Sequence, residues 1–415
     1  MSYPRMAMQS IELPAVTQIR ASDDYVPPSG GPTAQNWNLG GSSILAHAIA
    51  LAPFKDSFWT TPSQPNGSLP NAREFGWALH SAVATLSAGP VTPSDGINMS
   101  NVPVIMRTCR ADGTLLHPAR PATYTDYMIR ARADAPFGHL WSTYSEASGL
   151  RWDHIFSREM ESLFSLTPSV LTLDGGRADV STAKLVAYTL NTSSLSLDSL
   201  QVQHFSETAP VTLVRDTSAV DFALWHVAPI DSSGWAFLGD LTKYVPTSSA
   251  RLVSAESSAT SSEVTIVGAV GESVTLTWAN AAGSTEAAAA GENRRYVKHV
   301  HEYCDNGTGH ETPAYSSNTD TLTECQTKCD VLACTCFDYN ENEKSSDDTD
   351  ALDRCRVSTI DTTLTSSSTG YDAFTPIAPP PPRPAQLATA SVTCIIGASG
   401  NAIATLSSKG EAHCA

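Results

Sequence analysis

The chain has 415 residues, of which 41% are hydrophobic and 16% are charged, and its formal net charge at pH 7 is −17. This length predicts two to four domains, at roughly 100–200 residues per domain. Lys and Arg number 25 against 42 Asp and Glu, so the chain lacks the basic surface that nucleic-acid binding requires, and an anionic membrane would repel it. No apolar stretch reaches the ~20 residues of a membrane-spanning helix, and we expect neither a nucleic-acid partner nor a membrane span.

Residues 1–130 show alternating strand and helix patterns. Ala15–Ala21 has the pattern of a short strand and ends in an acidic turn, whereas Ser42–Leu51 and Phe75–Ala88 have the apolar spacing of helices. A further short strand begins at Gly89 and reaches Asp95. Such alternation is typical of a parallel sheet, either open or closed into a barrel.

Residues 131–285 have a different texture, with short runs of Val, Thr, Leu and aromatic residues. Gly, Asp and Ser interrupt these runs at short intervals, a pattern that is typical of an antiparallel β-sandwich. The clearest runs are Leu185–Leu190, Val211–Arg215, Phe222–Ile230, Glu263–Val270 and Ser273–Trp278.

Residues 286–375 carry six of the nine Cys residues of the chain. A cluster of this density predicts a small disulfide-stapled domain in an oxidising compartment. A zinc site that includes His299 or His301 is the alternative, but two CxxC pairs are absent, so we favour disulfides and predict no metal. Residues 376–415 read as a Pro-rich linker and a tail that Cys394 and Cys414 could close. The clustered residues are Cys304, Cys325, Cys329, Cys334, Cys336 and Cys355.

The strand pattern that ends at Asp24 places polar residues on one face. Because strand side chains alternate, Gln18, Arg20, Ser22 and Asp24 share a face, and a carboxylate stands at the C-terminal end. In a barrel, that end is where catalytic groups are held. Alternatively, Asp24 and its neighbour Asp23 are turn and cap residues.

Three blocks of sequence, at residues 20–25, 87–95 and 112–126, are similar in order and spacing to the end of one catalytic barrel. They contain Arg-Ala-Ser-Asp-Asp-Tyr, Ser-Ala-Gly-Pro followed by Ser-Asp, and Asp-Gly-Thr-Leu-Leu followed by Arg-Pro-Ala-Thr. These blocks resemble raffinose synthases and related α-galactosidases of glycoside hydrolase family 36. The resemblance implies that residues 1–130 are the C-terminal half of a (β/α)8 barrel and that residues 131–285 are the β-domain that follows it.

This resemblance implies retaining chemistry on α-galactosides, which uses a nucleophilic carboxylate and an acid/base carboxylate about 5–5.5 Å apart. The aspartate that ends the first block is the acid/base of the family. Side-chain alternation assigns this role to Asp24, and a register error of one residue would assign it to Asp23. Residues near strand ends are the candidate substrate-binding groups: Arg20, Trp37, Trp59 and Asp95.

Each of these four residues also has a structural interpretation. Arg20 could form an internal ion pair, Trp37 and Trp59 could pack in the core, and Asp95 could cap a helix. The family nucleophile lies on an earlier strand, and the chain begins only about 20 residues before Asp24. We therefore expect a partial barrel that hydrolyses nothing by itself, and whether the protein is an enzyme stays open. No cofactor is implied.

The Cys spacing is similar to that of PAN/Apple domains, which bind protein or carbohydrate. Two functions follow for an extracellular protein: a carbohydrate-active protein with an α-galactoside-type substrate or glycan, or a non-catalytic protein that binds a glycan or an extracellular protein partner through the Cys-rich module. Residues 1–20 lack a signal peptide, so secretion would imply a truncated N-terminus. The sequons at Asn66, Asn98, Asn191 and Asn306 are compatible with secretion.

Overall fold

The computed structural model describes most of the chain as an antiparallel β-rich fold with few helices. Among the described residues, no helix combines the length and the apolar character that crossing a bilayer requires. Between residues 296 and 376, the description covers the backbone of seven short strands. Elsewhere it covers residues 12–13, 15–27, 37–65, 67, 69–131, 138–160, 164–172, 184–190, 199–214, 220–281, 387–407, 409 and 411–414.

The first 130 residues contribute a small α/β layer. Strand β1 pairs in parallel with β2, and a parallel bridge between Phe58 and Pro93 continues the same arrangement. Helix α2 is buried along almost its whole length, and every residue from Leu79 to Leu86 is inaccessible to solvent. The elements of the layer are β1 (Gln18–Arg20), α1 (Ser42–Ala48), β2 (Ala52–Phe54), α2 (Trp77–Leu86) and α3 (Val102–Met106).

Helix α1 is shorter than the sequence pattern predicts. The apolar spacing extends to Leu51, whereas the helix ends at Ala48. Ala50 adopts a left-handed conformation with φ of 59°, and the Leu51 amide donates to the Ala46 carbonyl at 3.0 Å. This is the Schellman arrangement, which ends a helix by satisfying its last carbonyls from beyond the turn.

A six-stranded sheet is the largest element of the fold, with strand order β3-β4-β5-β10-β7-β8. Its pairings are antiparallel, and β6 pairs with β9 in a separate ribbon. Three of the predicted sandwich runs, which begin at Leu185, Val211 and Phe222, are strands here. The elements are β3 (Thr123–Tyr124), α4 (Asp126–Ala131), β4 (His139–Ala147), β5 (Leu150–Arg158), β6 (Phe164–Leu166), α5 (Pro168–Thr172), β7 (Leu185–Thr189), β8 (Gln201–Phe205), β9 (Val211–Leu213) and β10 (Ala223–Pro229).

Both faces of the six-stranded sheet are buried. On β5, Ile155 points into a core that includes α5 and the β6–β9 ribbon. Phe156, on the opposite face, packs with Trp37 and helix α2. Trp152 shares that face but packs with a second group of sheets. One face of the sheet therefore carries the α/β layer at one end and the rest of the sandwich at the other.

The strands of the second layer begin with β11 (Trp235–Gly239), β12 (Leu252–Ser258), β13 (Ser261–Val267) and β14 (Ser273–Asn280). The predicted runs at Glu263 and Ser273 are β13 and β14. Trp278 on β14 is fully buried and lies in the same core as Trp152. The antiparallel β-rich fold that the sequence predicts for this part of the chain is therefore confirmed.

Residues 286–384 form a second compact unit within the chain. Five of its strands form one antiparallel sheet, in the order β15-β21-β18-β19-β17, and β16 pairs with β20. The side chains of the six clustered Cys residues lie outside the described residues, so their disulfides stay predictions. The strands are β15 (Tyr296–His299), β16 (Glu302–Asp305), β17 (Tyr315–Ser317), β18 (Cys336–Tyr339), β19 (Cys355–Ser358), β20 (Thr363–Ser366) and β21 (Asp372–Pro376).

The chain then returns to the sandwich through β22 (Thr389–Ile395), β23 (Asn401–Ser407) and β24 (Ala412–Cys414). Strand β22 pairs with β14, and β23 pairs with both β13 and β24. A disulfide joins buried Cys394 on β22 to Cys414 on β24. The predicted closure of this segment by one disulfide is confirmed.

The structure corrects the predicted domain boundaries in two places. Residues 1–285 and 385–415 form a single compact unit, whereas the sequence pattern predicts separate domains at 1–130 and 131–285. The segment predicted as a tail supplies sandwich strands instead. The sequence did not indicate this because the whole second unit separates these strands from their partners.

We expect that the inserted unit can be removed without unfolding the sandwich. The Asn280 amide donates to the Ala388 carbonyl at 2.7 Å, so a short Asn-Gly turn in place of residues 282–386 would join β14 to β22. The free energy of unfolding, measured in urea by tryptophan fluorescence, should differ between the native and shortened chains by no more than about 2 kcal/mol. Trp278→Ala in the shortened chain is the control, because it removes a buried core side chain. It should lower the free energy of unfolding by about 3–5 kcal/mol. A shortened chain without a cooperative transition would contradict the prediction.

A buried histidine pair lies on the face of the six-stranded sheet that also carries Trp152 and Phe156. The Nδ1 atoms of His154 and His226 are 2.8 Å apart, and the Ser145 hydroxyl is 2.9 Å from His154 Nε2. One Nδ1 must donate and the other must accept, so both rings are neutral or only one is charged. Burial lowers the pKa of His154 to about 3 and also lowers the pKa of His226.

This pair predicts a loss of stability in weak acid. Between pH 6.5 and about 3, the unfolded chain binds protons at these histidines that the folded chain does not. The free energy of unfolding should therefore fall as pH falls below 6.5, by up to about 1.4 kcal/mol per pH unit for each histidine. Chemical unfolding at pH 7.5, 6.0 and 4.5 measures this slope.

The double variant His154→Leu/His226→Leu should have a shallower slope than the native chain. His47→Asn removes an exposed histidine on α1 and should leave the slope unchanged. Equal slopes in all three proteins would contradict the role of the pair.

Candidate functional site

Three carboxylates lie at the C-terminal ends of neighbouring parallel segments. Asp24 follows β1, Asp56 follows β2, and Asp95 follows the bridge residue Pro93. The C-terminal ends of parallel strands meet at one edge of a sheet, where open and closed α/β folds hold their ligands. We call Asp24, Asp56 and Asp95 the carboxylate edge.

Arg20 joins the first two members of this edge. Its Nη2 atom is 2.5 Å from Asp24 Oδ1, and its Nη1 atom is 3.1 Å from Asp56 Oδ2. The Asp24 side chain is 81% exposed, whereas that of Asp56 is 25% exposed. The same guanidinium therefore holds a carboxylate that solvent can reach and one that is largely covered.

Asp56 is held more tightly than Asp24. Its carboxylate accepts the amides of Tyr25 at 2.8 Å and Ser57 at 2.9 Å, in addition to the Arg20 contact. Burial by itself would raise the pKa of Asp56, but these donors and the charge of Arg20 outweigh it and lower the pKa. Asp56 is therefore ionised at neutral pH and anchors Arg20.

Asp95 is the third member of the edge. It accepts hydrogen bonds from the Thr60 amide at 2.8 Å, the Thr60 hydroxyl at 2.6 Å and Gln64 Nε2 at 2.9 Å. Helix α3 is capped by Asn101 instead, whose Oδ1 accepts the Val104 amide. The alternative that Asp95 caps a helix is wrong, and Asp95 orders the loop that follows Phe58.

Beneath the edge, Lys55 is completely buried. Its Nζ atom donates to the carbonyls of Asp56 at 3.0 Å and Ser57 at 3.3 Å, and it lies 5.1 Å from the ring centroids of both Tyr25 and Phe58. Burial lowers the pKa of Lys55 to about 7, against the attraction of Glu74 and Asp56. The charge of Lys55 therefore depends on pH in the neutral range.

Glu74 and His80 complete this buried cluster, and both side chains are inaccessible to solvent. Glu74 accepts the Tyr25 hydroxyl at 2.7 Å and the Gly76 amide at 2.5 Å, and its Oε2 atom is 3.5 Å from His80 Nε2. Burial raises the pKa of Glu74 and lowers that of His80 well below its usual range. His80 is consequently a neutral ring at physiological pH.

The two predicted sugar-stacking residues lie in the interior. Trp37 is 6% exposed, its ring is stacked on Trp141 at 5.7 Å between centroids, and the guanidinium of Arg158 lies 3.9 Å from its centroid. Trp59 is 7% exposed. Sequence position near a strand end does not reveal burial of this kind, so the expectation that these rings stack on a sugar is corrected to core packing.

Asp23 and Asp24 are both exposed, and the Arg20 guanidinium contacts Asp24. The acid/base role of either residue stays a prediction. Sequence reasoning missed Asp56, although Lys55 and Asp56 follow β2 just as Asp23 and Asp24 follow β1. It also missed Glu74, whose loop position gave no periodic signal.

Within the described part of the chain, no group of three or more His, Cys, Asp or Glu side chains could hold a metal ion. No protein-family model matches the chain, and a search of curated proteins finds no match. Inference about the function therefore depends on the three sequence blocks and on the geometry of the carboxylate edge.

Asp56→Asn should loosen the edge. The substitution keeps the size of the side chain but removes its negative charge. That charge holds Arg20 and strengthens the hydrogen bonds from the two amides, so we expect a loss of roughly 1–2 kcal/mol in the free energy of unfolding at pH 6. Because the folded pKa of Asp56 is lowered, its contribution is present above pH 4 and is lost in stronger acid, so the difference between native and variant proteins should shrink as pH falls below 4.

Asp23→Asn is the matched control, because it removes the same charge from an exposed neighbouring position. Urea unfolding at pH 6 and pH 2.5 distinguishes the two variants. An equal loss in both variants at pH 6 would show that net charge, rather than the contacts of Asp56, is responsible.

Proposed function

We propose that the carboxylate edge acts on α-galactosides, in hydrolysis or in transfer of a galactosyl group. The observation that carries this proposal is the row of carboxylates at the ends of neighbouring parallel segments, with Arg20 between Asp24 and Asp56. Two of the blocks that resemble family 36, at residues 20–25 and 87–95, contribute Asp24 and Asp95 to this row.

In this proposal Asp24 is the general acid/base. Its carboxylate is accessible to a ligand, and Arg20 is placed to orient either that carboxylate or a sugar hydroxyl. A retaining mechanism also needs a nucleophilic carboxylate about 5–5.5 Å from the acid/base. The resemblance implies that this nucleophile lies on an earlier strand of the barrel.

The finer architecture belongs to the same proposal. We propose that the α/β layer is part of a (β/α)8 barrel and that residues 286–384 are a PAN/Apple-like module. Parallel pairing of β1 with β2 and the Phe58–Pro93 bridge support the first assignment. A compact antiparallel unit that carries the Cys cluster supports the second.

The second candidate function is non-catalytic binding of a glycan or an extracellular protein by the inserted module. One observation favours it: the module has its own sheet and forms a compact unit separate from the carboxylate edge. The two functions are compatible, because a binding module can bring a carbohydrate-active unit to its substrate.

We propose an extracellular location for the protein. The Cys394–Cys414 disulfide is stable in an oxidising compartment. Asn98 of the Asn-Met-Ser sequon is exposed and has a φ of 61°, so it lies in a turn that a glycosylating enzyme can reach.

The galactoside proposal predicts saturable binding to the 415-residue chain. Titration with raffinose and with methyl α-galactoside, followed by saturation-transfer NMR and calorimetry, measures it. Asp24→Asn should weaken binding about tenfold, because a charged hydrogen bond to the sugar contributes about 1.5 kcal/mol. Asp23→Asn, the matched control, should change binding less than about threefold.

Absence of any saturable binding would contradict the proposal. Equal losses in the Asp24 and Asp23 variants would contradict the assignment of Asp24.

A further inference from the structure

Tyr25 follows exposed Asp24 in the chain and contacts both Asp56 and the buried cluster of Lys55 and Glu74. Its backbone amide, its hydroxyl and its ring each have a different partner. The first sequence block ends at Tyr25, but the pattern of that block assigns the tyrosine no role. Its contacts nevertheless determine where the chain segment with Asp24 can lie.

The amide of Tyr25 closes a ring of contacts on the exposed side. It donates to Asp56 at 2.8 Å, Asp56 contacts Arg20, and Arg20 contacts Asp24, which immediately precedes Tyr25. Three noncovalent contacts and one peptide bond therefore form a closed loop. Displacement of Asp24 requires at least one of these contacts to break.

The hydroxyl of Tyr25 reaches the interior. It donates to Glu74 at 2.7 Å and accepts the amide of Trp59 at 3.4 Å. Trp59 precedes Thr60, which donates to Asp95. Through this single oxygen atom, the segment that holds Asp24 is connected to the third member of the carboxylate edge.

The ring of Tyr25 contacts two buried groups. Lys55 Nζ is 5.1 Å from its centroid, and the His80 ring makes an edge contact at 5.6 Å. Both contacts involve the aromatic ring and not the hydroxyl. The ring can therefore keep its place even when the hydroxyl is removed, which allows the hydroxyl to be tested separately.

We propose that Tyr25 is a positioning residue, that Glu74 is its buried acceptor, and that this pair holds the Asp24 segment against the rest of the carboxylate edge. The effect of this pair on ligands rests on the proposed function. The anchoring itself does not, because it concerns contacts within the free protein.

Tyr25→Phe tests the proposal in the full chain, and Tyr124→Phe is the matched control. Tyr124 donates its hydroxyl to Asn38 at 2.9 Å, at an exposed position outside the carboxylate edge. Amide hydrogen exchange resolved for residues 20–27 and 58–60 reports the anchoring. Affinity for methyl α-galactoside reports its consequence, and the thermal midpoint reports global stability.

In Tyr25→Phe we expect the Trp59 amide, which loses its acceptor, and the amides around Tyr25 to exchange about tenfold faster, in line with the loss of one hydrogen bond. Galactoside affinity should fall about three- to tenfold, while exchange in the six-stranded sheet stays unchanged. Tyr124→Phe should match the native chain in these two segments and in affinity.

Glu74→Gln provides a second test, because the amide oxygen of Gln can still accept the Tyr25 hydroxyl. Exchange of residues 20–27 should stay within about threefold of the native rate in this variant, even if the thermal midpoint falls. Native exchange rates in Tyr25→Phe, or faster exchange spread evenly over the whole chain, would overturn the proposal.

A native chain that binds no galactoside would contradict the proposed function, and exchange in Tyr25→Phe would still decide the anchoring. Faster local exchange with unchanged galactoside affinity would overturn the effect on ligands and leave the anchor in place. The two failures are therefore distinguishable.

Discussion

Alternation of side chains along β5 is the constraint on which the rest of the structure depends. Ile155 and Phe156 are neighbours in sequence, yet they enter different cores, and both are almost completely buried. A strand that is buried on both faces fixes its own register, since a shift of one residue would exchange the two cores. The α/β layer, and with it the carboxylate edge, is positioned by packing against this strand.

Polar contacts from the second layer hold the α/β layer in place. The Tyr244 hydroxyl donates to the Ala78 carbonyl at 3.2 Å, and Lys243 Nζ donates to the carbonyls of Met106 and Cys109 at 2.6 and 2.9 Å. The Tyr244 hydroxyl thus reaches the first turn of α2. The Lys243 ammonium reaches the last residue of α3 and the turn after it, where carbonyls lack intrahelical partners. The site is consequently part of a larger rigid unit, even though its residues come from the first 100 positions.

The sequence predicted those parts of the fold in which a local pattern determines the structure. Five strands follow from short β-branched and aromatic runs, and Asp24 and Asp95 follow from their places after strands. Burial of Trp37 could not be predicted, because it depends on Trp141 and Arg158, which lie more than 100 positions away. The contacts of Tyr25 with Glu74 and Asp56 are likewise nonlocal, and they have no periodic signature.

Insertion of residues 286–384 at the end of the β14–β22 hairpin has a mechanical consequence. Tension transmitted through the ends of the insertion would act first on the hydrogen bond between Asn280 and Ala388 and then break the ladder one pair at a time toward Val274 and Cys394. At Cys394, strand β22 is covalently linked to Cys414. Tension on the inserted unit could therefore separate β22 from β14 as far as Cys394, but the disulfide would have to break before β22 could leave the sheet entirely.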